Sequence, residues 1–261
     1  MLNINYTTKL VLSLVIIITF LSQKISAQTG MDIAKLSYDR PEPNDMTSDL
    51  SMVLTDSKGR TRESTLHVMT QSGGEKQIIW FLAPADDRGV SFLKIEYDDK
   101  DDEMRLWLPA FKKIRRISSK KKSEAFMGSD MSYEDMTNRD LEDNEYTLLE
   151  TNEIVNEINC YVIKTKPKKE LRSEYSHHIS WIATDGLYRV KEESYDRSGK
   201  LLKKKMFFST RIDDYFILTE LYVENAQRNH NTRLTFQNVI LNTSLGDSEF
   251  QEKNLKRIPR D

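Results

Sequence analysis

From about residue 46 to residue 241, apolar and polar side chains alternate with a period of two. That spacing places successive side chains on opposite faces of an extended chain, as in strands with one buried face. Runs of this kind cover 49–54, 60–70, 76–83, 104–108, 145–149, 158–166, 175–183, 187–195, 201–210, 215–223 and 232–241. Short clusters rich in Asp, Ser and Gly separate many of them: Asp56-Ser57-Lys58-Gly59, Ser72-Gly73-Gly74, Thr184-Asp185-Gly186, Asp196-Arg197-Ser198-Gly199 and Ile212-Asp213-Asp214. Such clusters reverse the chain. Strands joined by tight turns predict a meander of hairpins, not strand–helix–strand units. Direct joining of neighbours favours one continuous antiparallel sheet, hence one mainly β domain over 46–261. Ahead of it, 28–45 reads as an N-terminal segment: a short helix at 30–36 and a linker, Arg40-Pro41-Glu42-Pro43-Asn44.

Several strands carry charge on one side and bulk on the other. Arg189 and Lys191 alternate with Tyr188, Val190 and Glu192, and Arg233 and Thr235 alternate with Leu234 and Phe236. The pattern predicts a wet face and a dry face. A sheet of this size either wraps its dry face into a barrel or half-barrel, or covers it with a second sheet.

The chain is organised around 103–136. An alternating strand stops at Pro109, and a cationic run follows: Lys112, Lys113, Arg115, Arg116, Lys120, Lys121 and Lys122. Then come Phe126-Met127-Gly128 and Ser129-Asp130-Met131-Ser132-Tyr133-Glu134-Asp135-Met136, where Ser129 or Asp130 is placed to cap a short helix. The cationic run has three readings: a charged edge that blunts sheet association, a docking surface for acidic headgroups or an acidic membrane partner, and a nucleic-acid contact.

The ordered pieces LWLPA (106–110), RRIS (115–118) and FMGSDMSYEDM (126–136) resemble the outer-membrane lipoprotein-sorting family, relatives of the periplasmic lipoprotein carriers LolA and LolB. Supporting pieces are Phe81-Leu82-Ala83-Pro84, Gly89-Val90-Ser91-Phe92-Leu93, Cys160-Tyr161-Val162-Ile163 and Trp181-Ile182. The resemblance runs through roughly 45–257. It implies a curved antiparallel sheet forming an incomplete, half-open barrel, with short helices as a lid over a lipid-sized hollow. On that reading Trp80, Leu82, Leu106, Leu108, Phe111, Phe126, Met127, Met131, Tyr133, Met136 and Trp181 are the candidate cavity and lid residues. Read from the residues alone, the same aromatics and methionines fit a packed core equally well.

The first 27 residues set the expected compartment. Lys9, an apolar run over 10–21 and a small residue at Ala27 have the layout of a secretory signal peptide. The run is shorter than the roughly 20 residues that span a bilayer. The expectation is export to the periplasm with cleavage after Ala27, and export argues against a nucleic-acid partner. The full chain has a formal charge of −2; the leader holds Lys9, Lys24 and no acid, so the remainder stands at −4. The single cysteine, Cys160, cannot form an internal disulfide and reads as a small buried hydrophobe.

Bond-making chemistry finds little support. His177 and His178 are adjacent on a strand and point to opposite faces, and His67 and His230 stand apart, so no metal-ligand spacing emerges. The sequence has no nucleophile elbow, phosphate loop or dinucleotide fingerprint. The carboxylates beside Tyr133 read as caps. The expected function is therefore a carrier or chaperone, without enzyme activity, cofactor or metal. It would shield acyl chains of lipoproteins or lipids on the way to the outer membrane and contact the membrane surface and an inner-membrane transporter. The alternative is a non-catalytic accessory module of an envelope transporter, with a closed core.

Overall fold

Almost every strand lies beside its neighbours in sequence, and the two exceptions define the architecture. The computed structural model describes residues 28–259; the expected leader, 1–27, lies outside the described residues. The strands are β1 (Asp45–Thr55), β2 (Thr61–Gln71), β3 (Lys76–Ala83), β4 (Ser91–Ile95), β5 (Glu103–Leu108), β6 (Lys113–Arg116), β7 (Asn144–Val155), β8 (Ile158–Pro167), β9 (Tyr175–Ala183), β10 (Arg189–Asp196), β11 (Leu201–Ile212), β12 (Tyr215–Asn225) and β13 (His230–Leu241). They form one antiparallel sheet in the order β6-β5-β4-β3-β2-β1-β13-β12-β11-β10-β9-β8-β7. β1 pairs with β13, with Leu50 opposite Phe236 and Met52 opposite Leu234. Asp45 anchors that seam by accepting hydrogen bonds from the backbone of Thr243, Ser244 and Leu245.

The other exception is the pair β6 and β7, consecutive in the chain yet at opposite edges of the sheet. The sheet is not closed: it is an incomplete barrel, and the segment 117–143 bridges its two free edges. One buried cluster takes side chains from β1 through β5 and from β12 and β13, together with Phe126, Met131 and Tyr133 of that segment. Such a cluster requires the sheet to bend toward that face, the inner one.

The single α-helix among the described residues, α1 (Gly30–Tyr38), begins with a capping box in which Thr29 and Asp32 satisfy each other's backbone N–H. Its Ile33 and Ala34 pack on Ile163 of β8 and Ile182 of β9. The approach to β7 is so close that a Cβ on Gly30 would lie 2.6 Å from the backbone of Leu148. The outer face is not uniformly wet either. Phe250 and Leu255 of the C-terminal segment cover Ile78, Trp80 and Leu93. The Trp80 indole donates to the Asn254 carbonyl at 3.1 Å, and the Ser91 hydroxyl donates to that of Leu255 at 2.6 Å.

Two strands and one helix differ from the sequence expectation. β4 is buried along four of its five residues, so it shows no alternation, and β6 is a four-residue edge strand inside the cationic run. The short helix expected after Ser129 or Asp130 is a single 3-10 turn, Glu134–Met136, with Tyr133 at its N-cap. Asp130 is not a cap; its carboxylate accepts from the Thr232 hydroxyl at 2.8 Å and lies 2.7 Å from the His230 ring.

Candidate ligand cavity

The inner face divides into an apolar half and a polar half, and 117–143 crosses both. Over the apolar half, Phe126 sits edge-on to Phe92 and Tyr133, with ring centroids 5.4 and 5.9 Å away. Leu106, Phe126, Met131 and Tyr133 are buried in the same cluster, and Leu108, Met127 and Met136 pack against it. These seven expected cavity residues come together, with the segment's own side chains filling the space between them. No β-ladder ties the segment to the sheet; its one strand-like contact is an internal bridge, Ala125 to Ser132.

The other four expected residues lie elsewhere. Trp80 and Leu82 belong to the outer-face cluster under the C-terminal segment. Trp181 belongs to an outer-face cluster with Cys160, Val162 and Val190, and Lys191 lies over its ring at 3.9 Å. Phe111, at the end of the Pro109–Phe111 turn, is 76 % exposed. Alternation gives the two sides of a strand but not which side is inside, and here both sides are buried.

The expected docking cations divide as well. Arg115 pairs with Glu124, Lys121 lies 3.9 Å from the same carboxylate, and Lys122 pairs with Asp102 at 2.8 Å. Lys112, Lys113, Arg116 and Lys120 are exposed and make no ion pair among the described residues.

Over the polar half the sheet carries a buried charge network that strand alternation did not reveal. Asp135, from the crossing segment, places Oδ2 2.7 Å from Lys203 Nζ and Oδ1 2.5 Å from Lys205 Nζ, both on β11. The Tyr175 hydroxyl lies 2.9 Å from each Asp135 oxygen and 2.6 Å from Lys203 Nζ. Lys205 also reaches Glu192 of β10 at 3.1 Å, and Arg139 clasps Glu192 through two bonds of 2.6 and 2.9 Å. The signal available in the sequence was register: Lys205 stands directly opposite Glu192. Lys203-Lys204-Lys205 reads as a solvated run only while its partners, far away in the chain, are unknown.

Burial alone would raise the carboxyl pKa of Asp135 and of Glu192; the cations around them outweigh it and hold both well below the ordinary range. Burial, reinforced by the Arg139 charge, pushes the His178 pKa well below its usual value. Arg139 Nη2 is 3.3 Å from His178 Nδ1, and a guanidinium can only donate. Nδ1 also lies 2.9 Å from the Ser194 hydroxyl, and with its pKa so depressed the ring is neutral.

Two cavities flank the crossing segment where it leaves this network. The smaller, about 440 Å³, lies between α1, the β2–β3 turn and residues 138–141. Its wall is apolar at Ala34, Leu141, Ile163 and Ile182 and cationic at Arg40, Arg139 and Arg189. The larger, about 920 Å³, lies on the other side of the segment; it is bordered by acids such as Asp98, Asp102, Asp140 and Asp143. The smaller volume falls within the roughly 300–1,000 Å³ common for small-ligand sites. No group of His, Cys, Asp and Glu among the described residues is arranged to hold a metal ion. Nor is any helix among them long and apolar enough to cross a membrane.

A family model described as an uncharacterized protein matches residues 73–257. A solved domain from Vibrio parahaemolyticus, named for outer-membrane lipoprotein sorting, shares 28 % identity at a TM-score of 0.81, over 87 % of this chain and 98 % of its own. A DUF1329 family protein from Desulfovibrio piger shares 29 % identity at the same TM-score, over 87 % and 97 %. A LolA superfamily protein from Nitrosomonas europaea has the same fold, with 19 % identity and a TM-score of 0.68 over 87 % and 99 %. No curated protein matches the sequence.

Proposed function

The chain belongs to the family whose model spans residues 73–257 and is similar to the lipoprotein-sorting domain and the DUF1329 protein above, and from that likeness we propose that it is a periplasmic carrier. It would hold the acyl chain of a lipoprotein or lipid against the inner face of its sheet during transfer to the outer membrane. The observation that carries the reading is how the apolar half is closed. Segment 117–136 covers it through Phe126, Met131 and Tyr133, not through a ladder of backbone bonds. A cover held by side chains can swing away and leave an oily trough, in which each buried methylene of a guest contributes about 0.8 kcal/mol. Residues 46–261 would form the carrier domain, with α1 as a fixed wall, and binding and release would need no bond chemistry.

Phe111 stands beside Lys112 and Lys113 at the β5–β6 turn. An exposed aromatic next to free cations suits a tip that touches an anionic membrane surface or an inner-membrane transporter.

The same closure favours a second reading, an accessory module of an envelope transporter whose core stays shut. Native mass spectrometry of protein purified gently from its own envelope separates the two. The carrier is expected to retain a lipid-sized adduct that is lost on delipidation, whereas the accessory module is expected to show the bare polypeptide mass throughout.

A further inference from the structure

Glu192 is the one carboxylate within 4.0 Å of Arg189 among the described residues, and it is already saturated. Its Oε2 accepts from Arg139 and from the Ser180 hydroxyl at 2.6 and 2.9 Å, and its Oε1 accepts from Arg139 and Lys205 at 2.9 and 3.1 Å. Arg189 comes no nearer than 3.5 Å. Its Nε is buried without an acceptor, and its guanidinium makes no hydrogen bond to any described residue while it borders the 440 Å³ cavity.

The charge count of the network points the same way. Lys203, Lys205, Arg139 and Arg189 face Asp135, Glu192 and Glu174, which leaves one cation in excess. His178 adds nothing, being neutral. The acids at the cavity rim do not offset the excess at Arg189: Asp39 is paired with Lys35 at 2.6 Å and Glu42 with Arg40, while Glu75, on the β2–β3 turn, is beyond salt-bridge distance. Partial burial and the nearby Arg139 and Arg40 charges lower the Arg189 pKa against the pull of Glu192.

A guanidinium matches two oxygens of a carboxylate or phosphate with two parallel N–H bonds. Ala34, Leu141, Ile163 and Ile182 line the same cavity with apolar surface. We propose that Arg189 forms an oxyanion subsite for the carboxylate or phosphate head of a single-chain amphiphile, whose first methylenes lie along that apolar wall. The alkyl part rests on the carrier reading; the oxyanion part rests on Arg189.

The test is calorimetric titration of the delipidated protein with decanoate, decyl phosphate and decanol, which share a chain and differ in head. At least one anion is expected to bind tenfold or more tighter than decanol, and the preferred anion distinguishes a fatty-acid from a phospholipid source. Arg189→Gln is expected to reduce the anions to the decanol level, and Arg189→Lys, which keeps the charge without the fork, to retain part of the preference. If Arg189→Gln does not fold, the wild-type preference and its weakening in Arg189→Lys decide. Decanol binding as tightly as both anions, or an anion preference untouched in folded Arg189→Gln, overturns the subsite and leaves the carrier reading standing. Absence of binding by all three probes overturns both.

Discussion

Asp135 Oδ2 lies 2.7 Å from Lys203 Nζ, and through this contact the segment that joins the two free sheet edges is fastened to β11. Its other oxygen holds Lys205, so one carboxylate bridges two buried ammonium groups whose remaining charge is met by Glu174 and Glu192. Asp135→Asn leaves both lysines short of counter-charge, and removing one partner of a buried ion pair costs about 3–5 kcal/mol. Urea denaturation is expected to report a loss in that range; a loss under about 1 kcal/mol contradicts the fastening role.

The apolar half of the cover has its own peg. Phe126 is buried among Phe81, Phe92 and Tyr133. Phe126→Ala is expected to cost about 3 kcal/mol or more, on the order of 100-fold in an opening equilibrium. If the cover opens separately from the sheet, amide exchange speeds up by that factor in 117–136 and stays unchanged in β1, β2 and β13. Equal acceleration everywhere means that cover and sheet are one cooperative unit.

The network also sets a dependence on pH. His178 is neutral in the fold and its pKa is depressed, so the unfolded chain binds the extra proton. Its contribution is complete above the unfolded value of about 6.5 and is lost as pH falls below it, at about 1.4 kcal/mol per pH unit. Asp135 and Glu192, also depressed, hold their contribution above about pH 4 and lose it below. Two successive declines in stability are expected on acidification, and His178→Gln is expected to reduce the first, the remainder belonging to His177, whose pKa partial burial also lowers. A wild-type stability that stays flat from pH 7 to pH 5 contradicts the assignment.

At the β5–β6 turn, Phe111, Lys112 and Lys113 are all exposed. Exchanging both lysines for Gln is expected to weaken binding to anionic vesicles by about 1 kcal/mol for each charge removed. The effect should fade at high salt, and Phe111→Ala should weaken binding without altering the salt dependence. Vesicle cosedimentation checks both, and unchanged binding by the double variant removes the docking role.

The strands with one wet face were legible because their alternation survives in the sequence, as in β1, where buried Leu50, Met52 and Leu54 stand two apart. β4 was not, because Ser91, Phe92, Leu93 and Lys94 are all buried. Facing was legible only where one side meets water. Trp80 and Trp181 alternate as inward residues would, yet both lie on the outer face. The charge network was hidden for a related reason. Lys203, Lys205 and Glu192 have the spacing of solvated strand residues, and their burial depends on Asp135 and Arg139 arriving from a segment far away in the chain.

On the carrier reading, the cover over the inner face must lift for an acyl chain to enter. Asp130 meets Thr232 of β13 through both its backbone N–H, at 2.9 Å, and its carboxylate, at 2.8 Å, so cysteines at these two positions can pin the cover by a disulfide. Uptake of a fluorescent fatty acid by the delipidated Asp130→Cys/Thr232→Cys variant is expected to be saturable when reduced and abolished when oxidised. Equal uptake in both states, or none in either, contradicts the account.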